Sequence, residues 1–193
     1  MEKSTVSVCG ETLLAPLHIC GFFDSKSEQY EVILPFIKEG LDRNDKVINI
    51  LESEQHREHC KHLACSGISI TENLANGQLE VLASENTYIE GGTFAAKKMY
   101  TLLENTLISS KRAGFDSVRA CGDMVWALKN LPGTEELMEY EASLNGLVKS
   151  HACSLICMYD LNSFSEETIA EVLQTHPYVI MEGKITKNPH YIY

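Results

Sequence analysis

The chain alternates short, unbroken apolar runs with longer segments whose apolar residues recur at helical spacing, and few folds accept that order. Runs rich in β-branched residues fall at Leu17 to Phe23, Lys46 to Leu51, Leu79 to Leu82, Ser117 to Cys121, Ser154 to Tyr159 and Tyr178 to Met181. Each reads as a strand buried on both faces, because a strand with one wet face would alternate apolar and polar positions. The intervening segments carry Phe94, Met99, Leu102, Leu103, Leu107 and Ile108, or Leu137, Tyr140, Leu144, Leu147 and Val148, at helical intervals. Right-handed crossovers between parallel strands put helices on both faces of a sheet. The pattern therefore predicts a three-layer α/β domain with a mostly parallel sheet. With 193 residues, 44% of them hydrophobic, a single domain over 1–193 is expected, residues 1–14 forming a flexible or peripheral segment.

Turn and cap residues agree with this reading. Gly40, Gly67, Gly77, Gly114 and Gly146 fall where helices should end or the chain should turn, and Asn76-Gly77 precedes a strand. Ser163, three residues before Glu166, fits a capping box opening a helix through Leu173 that Pro177 terminates. Pro35 interrupts an amphipathic segment between Ser27 and Leu41 and should kink that helix or move its start. The closing Asn188-Pro189-His190-Tyr191-Ile192-Tyr193 ends in aromatics, as an excised module or a short self-contained protein would.

Charge and cysteine content narrow the function classes. A net charge of −11 repels nucleic-acid backbones and anionic membranes, so direct binding to either is not expected. No run approaches the roughly 18–20 apolar residues of a spanning helix, and Met1-Glu2-Lys3-Ser4 does not begin a signal peptide. Seven irregularly spaced cysteines without an export signal point to reduced thiols and a cytoplasmic location.

Ligands of an open parallel sheet bind outside the carboxyl ends of its strands. After the first strand, Gly21-Phe22-Phe23-Asp24-Ser25-Lys26-Ser27 occupies the place of a phosphate cradle, and Lys26-Ser27 imitates the end of one. The cradle's glycines are missing, and Phe22 and Phe23 suit an apolar ligand better than a triphosphate, which argues against ATP as a cofactor. After the fourth strand, Arg119-Ala120-Cys121-Gly122-Asp123-Met124-Val125-Trp126 gathers a cation, a carboxylate and the single tryptophan. Arg119 and Asp123 would pair with each other or face a polar ligand group. His18, Cys20 and Phe22 share one strand face, as do Cys157 and Tyr159. A separate metal candidate is the helix His56 to Cys65, where His56, His59 and Cys60 share a face on which zinc could sit, although the fourth ligand is not legible. The sequence contains no recognisable catalytic triad or paired-carboxylate spacing.

A series of motifs resembles the methanogen and methylotroph sensory (MEDS) domain family. It comprises His18-Ile19-Cys20-Gly21-Phe22-Phe23, Pro35 to Leu41, Arg119 to Leu128, Tyr140 to Asn145, Cys157-Met158-Tyr159-Asp160, Thr175 to Ile180 and Asn188 to Tyr191. The resemblance implies a RecA-like or KaiC-like core with a degenerate phosphate loop, serving as a non-catalytic sensor of small halogenated or methylated hydrocarbon derivatives. It implies a role for His18 and output through a histidine kinase or helix-turn-helix regulator, and it leaves open a homo-oligomer of the kind RecA-like relatives often form. The family pattern carries glutamate where this chain has Asp123 and tyrosine where it has Phe23. Together these readings place a partly apolar pocket around His18, Phe22, Phe23, Arg119, Asp123, Trp126, Cys157 and Tyr159, with Glu141 and Asn145 as a polar wall from a helix above. The alternatives are a residual nucleotide hydrolase using Lys26 and Ser27, a thiol-dependent methyl or halide transferase using Cys20 or Cys157, and a metal or redox sensor on the His56 to Cys65 helix.

Overall fold

A computed structural model describes residues 4–151 and 153–193. The strands are β1 (Thr5–Val8), β2 (Glu11–Leu14), β3 (Leu17–Phe23), β4 (Lys46–Leu51), β5 (Leu79–Ala83), β6 (Val118–Asp123), β7 (Cys153–Asp160), β8 (Tyr178–Met181) and β9 (Lys184–Lys187). The helices are α1 (Lys26–Asp42), α2 (His56–Cys65), α3 (Ile70–Ala75), α4 (Ser84–Thr87), α5 (Ala96–Arg112), α6 (Leu137–Ser150) and α7 (Glu166–Thr175). Seven strands form one sheet in the order β5-β4-β6-β7-β3-β8-β9, parallel except for the closing β8–β9 hairpin. The three-layer α/β expectation holds. No helix among the described residues is long and apolar enough to cross a membrane.

The central strands β3, β4 and β6 are buried at every position, so alternate residues feed two separate cores. Cys20, Phe22, Ile48, Ala120, Cys157 and Tyr159 enter the core beneath α5, α6 and α7. Ile19, Phe23, Val47, Cys121, Ile156 and Met158 enter the one beneath α1, α2 and α3.

Several local expectations are corrected. α1 runs through Pro35 and starts at Lys26, where the Ser25 hydroxyl accepts the Glu28 N–H at 3.2 Å. The cap of α7 is Ser165, which accepts the Thr168 N–H. Ser163 instead donates to Asp160 at 2.7 Å. Gly67, Gly77 and Gly114 turn the chain with positive φ, but Gly40 and Gly146 lie inside helices. Gly40 is there for space: a Cβ would stand 2.7 Å from Arg119 Cδ. Residues 5–14, unassigned by apolar pattern, form the β1–β2 hairpin outside the main sheet, with Val6 and Val8 buried against the α1 side.

Arg119 fastens α1 to β6. Its guanidinium, 1% exposed, reaches Asp45 at 2.7 Å, Glu39 at 2.6 Å and the Phe36 carbonyl at 3.0 Å. Burial pushes the Asp45 carboxyl up, and Arg119 only partly offsets it. Glu39, also desolvated, is held below the usual carboxylate range by the Ser7 N–H and by Arg119. Arg119→Met leaves these carboxylates without their cation and is expected to cost about 3 kcal/mol of unfolding free energy, the lower end for a broken buried pair. Urea denaturation measures it, and a loss below about 1 kcal/mol would contradict the role assigned to Arg119.

Candidate functional site

The expected pocket residues divide between the two faces of the sheet. Arg119 is committed to Glu39 and Asp45 on the α1 side and does not pair with Asp123. Asp123 accepts from Lys26 Nζ at 2.7 Å and from the Val125 N–H at 3.1 Å, closing the turn that follows β6. Phe23 belongs to the same α1-side core. Between β3 and α1 the connection is only Asp24 and Ser25, too short to wrap a phosphate, and Lys26 also donates to Gln29. A cavity of about 250 Å³ lies beside this turn, lined by Phe23, Ser25, Lys26, Gln29, Asp160 and Asn162.

On the opposite face His18, Cys157, Tyr159, Glu141 and Asn145 come together, joined by His176, which the sequence reading had not placed in the site. β3 and β7 pair with Cys20 opposite Cys157 and Phe22 opposite Tyr159, so His18 and Cys157 are near neighbours on one face. β8 pairs with β3 on its other side and draws the α7–β8 connection, with His176, onto His18. α6 lies across this face and lowers Glu141 and Asn145, one turn apart, onto the strands. Glu141 is 0% exposed. Its Oε1 accepts the Tyr159 hydroxyl at 3.0 Å. Its Oε2 lies 3.3 Å from His18 Nε2, 3.3 Å from His176 Nε2 and 3.4 Å from Cys157 Sγ.

Electrostatics in this cluster are dominated by burial. Desolvation pushes the Glu141 carboxyl up, but the imidazoles of His176 and His18 more than offset it and hold it well below the usual range. Burial and the neighbouring His176 push His18 down, favouring its neutral form. Burial, reinforced by Glu141, pushes the Cys157 thiol and the Tyr159 phenol far up. Beside the carboxylate, the Cys157 thiol and the Tyr159 phenol therefore stay protonated at neutral pH. Phe22 packs 5.7 Å from the Tyr159 ring. Among the described residues, Trp126 makes no hydrogen bond to Glu141 and instead stacks on Tyr88 at 4.8 Å and packs against Phe94.

The α2 face expected to offer His56, His59 and Cys60 does not converge. His56 Nε2 points to the Leu51 and Leu82 carbonyls, both at 3.2 Å, and His59 Nδ1 meets the Tyr30 hydroxyl at 3.2 Å. Among the described residues the group with metal-ligating reach is His18, Glu141, Cys157 and His176.

His59 supplies a pH test. Burial first, then His56 and His62 on its own helix and Lys26 from α1, hold its pKa down at about 4. An unfolded chain protonates this ring near pH 6.5, about the unperturbed value, whereas the folded chain resists until about pH 4. The unfolded state then binds more protons, so stability falls as pH drops through this window. His59→Gln should lose less stability than wild type between these limits, read by urea denaturation at each pH. Parallel slopes would contradict the assignment.

Comparison with known proteins accords with this architecture. Residues 17–177 match the family model described as the methanogen/methylotroph, DcmR sensory domain, MEDS. A curated relative, the transcriptional repressor DcmR of Methylorubrum extorquens, is 26% identical over 178 residues, covering 91% of this chain. The chain spans only 63% of that relative's length. A KaiC-like protein from Pyrococcus horikoshii superposes with a TM-score of 0.59 at 11% identity, covering 84% of this chain and 70% of that one. The flagellar accessory protein FlaH from Methanocaldococcus jannaschii gives 0.54 at 12% identity, covering 86% and 73%. These two show the fold alone. With the family match extending over most of the sheet and all four residues of the buried polar cluster, the chain belongs to the MEDS sensory domain family.

Proposed function

We propose that this sensory domain binds small hydrocarbon derivatives, halogenated or methylated, and passes their occupancy to a partner such as a histidine kinase or a helix-turn-helix regulator. The supporting observation is the polar cluster around Glu141, set in an otherwise apolar core and linked to an adjoining cavity. That cavity, about 200 Å³, lies at the carboxyl end of the sheet and is lined by Leu128, Leu137, Met138 and Phe164 together with Asn130, Thr134 and the carboxylates Glu135 and Glu171. Phe164 packs edge-on against Tyr159 at 5.1 Å, and Tyr159 donates to Glu141. A ligand that displaces the Phe164 ring therefore acts on the cluster through one intermediate side chain, and the two arrangements differ in what the partner meets. The cavity's small size favours a compact molecule, and Glu135 and Glu171 in its wall disfavour the phosphates of a nucleotide. The relative's name, a transcriptional repressor, supports a regulatory output.

Catalysis is the weaker reading. The two-residue turn before Lys26 and the Lys26–Asp123 ion pair disfavour nucleotide hydrolysis. The raised pKa values of Cys20 and Cys157, both set first by burial, disfavour a resting thiolate nucleophile.

A thermal-unfolding screen against small halogenated alkanes, methylated amines, methylated thiols and magnesium ATP tests the reading. A ligand at 100 times its Kd adds about 2.7 kcal/mol, or roughly 5–10 °C in a domain of this size. The expected result is a shift with an organic compound, none with magnesium ATP, and loss of the organic shift in His18→Ala and Phe164→Ala. A shift with magnesium ATP alone would overturn the sensor reading.

A further inference from the structure

The ring orientations of the two buried histidines create an electrostatic problem at Glu141. Asn145 Nδ2 is committed to the carbonyls of Thr175 at 2.7 Å and Ala142 at 3.2 Å, which turns its Oδ1 toward His18 Nδ1 at 3.2 Å. His18 Nδ1 must therefore donate. His176 Nδ1 lies 2.9 Å from the Val172 carbonyl, which can only accept, and 2.8 Å from the Thr175 hydroxyl, itself donating to the same carbonyl. His176 Nδ1 must donate as well. Neutral rings so held aim two Nε2 lone pairs at a carboxylate oxygen, in a site without water access, and His176 Nε2 has no hydrogen-bond partner. Protonating one ring satisfies one contact and leaves the other lone pair facing the carboxylate, and protonating both would place two cations together, with ring centroids 4.1 Å apart.

A divalent cation resolves both conflicts, and we propose that His18 Nε2, His176 Nε2, Cys157 Sγ and Glu141 Oε2 form a closed tetrahedral zinc centre. Zinc bonds of about 2.0–2.3 Å at tetrahedral angles hold ligand atoms about 3.3–3.7 Å apart. Glu141 Oε2 lies 3.3 Å from each Nε2 and 3.4 Å from Cys157 Sγ, which is 3.7 Å from His18 Nε2. All four atoms fall within 4.8 Å of one another. Four of the six donor separations thus match tetrahedral spacing, and a mixed nitrogen, sulfur and oxygen donor set suits zinc. Binding releases the Cys157 proton, and thiolate and carboxylate then cancel the charge of the ion, so no net charge is buried. The outer contacts are those a metal site requires: Asn145 and Val172 hold the imidazoles by Nδ1, and Tyr159 holds the other oxygen of Glu141. The centre would cross-link β3, β7, α6 and the α7–β8 connection.

The proposal goes beyond the sensory reading and stands apart from it: zinc uptake without any response to organic compounds keeps the metal centre and removes the proposed ligand class. The test is titration of zinc, and separately cobalt(II), into the chelator-treated full chain. One equivalent of zinc is expected, with intense visible cobalt absorption of tetrahedral type and a thiolate-to-cobalt charge-transfer band. Cys157→Ser should lose the charge-transfer band, and it and His176→Gln should each weaken zinc binding at least about tenfold. The double variant His56→Ala, Cys60→Ser should bind as wild type. Absence of stoichiometric uptake, or a pale octahedral cobalt spectrum without the thiolate band, overturns the proposal on wild-type protein alone. So does uptake lost in the His56 and Cys60 variant but retained in Cys157→Ser.

Discussion

One carboxylate without solvent contact organises this half of the molecule. Glu141 is delivered by α6 onto the sheet, and four side chains from β3, β7 and the α7–β8 connection converge on its two oxygens. Removing a carboxylate from water is expensive, and the cost is tolerable only where opposite charge or donors meet every lone pair. That requirement fixes the depth and rotation of α6, because a shift of one residue along the helix would take Glu141 off its partners. It also demands that β8 lie beside β3, since His176 reaches the cluster only through that pairing.

The sheet separates two polar systems of opposite character. On the α1 side, Arg119 meets Glu39 and Asp45, and Lys26 meets Asp123; these are ion pairs between permanent opposite charges that hold helices to strand ends. On the α6 side the ionisable groups are histidine, thiol, phenol and carboxylate, whose protonation changes with what they bind. The first system stabilises a geometry. The second would change its charge with a bound ion or molecule, as proposed. The frame, similar in fold to a KaiC-like protein, has a strand-to-helix turn of only Asp24 and Ser25 and carries its histidine, thiol and phenol groups beneath α6.

The layered architecture was legible because burial on both faces writes continuous apolar strands into the sequence, and all six runs from Leu17 onward became strands of the sheet. Elements stabilised otherwise were not. The β1–β2 hairpin buries only Val6 and Val8, and β9 buries only Ile185, too little for an apolar pattern to register. Pro35 misled because a continuous helix tolerates the lost N–H when flanking turns remain packed, here through Ile33, Phe36 and Ile37. Strand alternation correctly put His18, Cys20 and Phe22 on one face, yet it could not say that Arg119 and Asp123 face the other, since that depends on how β6 is aligned with β7. His176 lay within the Thr175 to Ile180 motif, but no spacing or periodicity tied it to His18. Its position two residues before β8 becomes informative only once β8 is known to pair with β3.

The central claim is that the two imidazoles, the thiolate and the carboxylate share one cation. Zinc-edge X-ray absorption on the loaded chain tests it most directly. The account predicts a four-coordinate ion with one sulfur at about 2.3 Å and three nitrogen or oxygen atoms at about 2.0–2.1 Å, two of them showing imidazole scattering. A six-coordinate shell of nitrogen and oxygen without sulfur would contradict it.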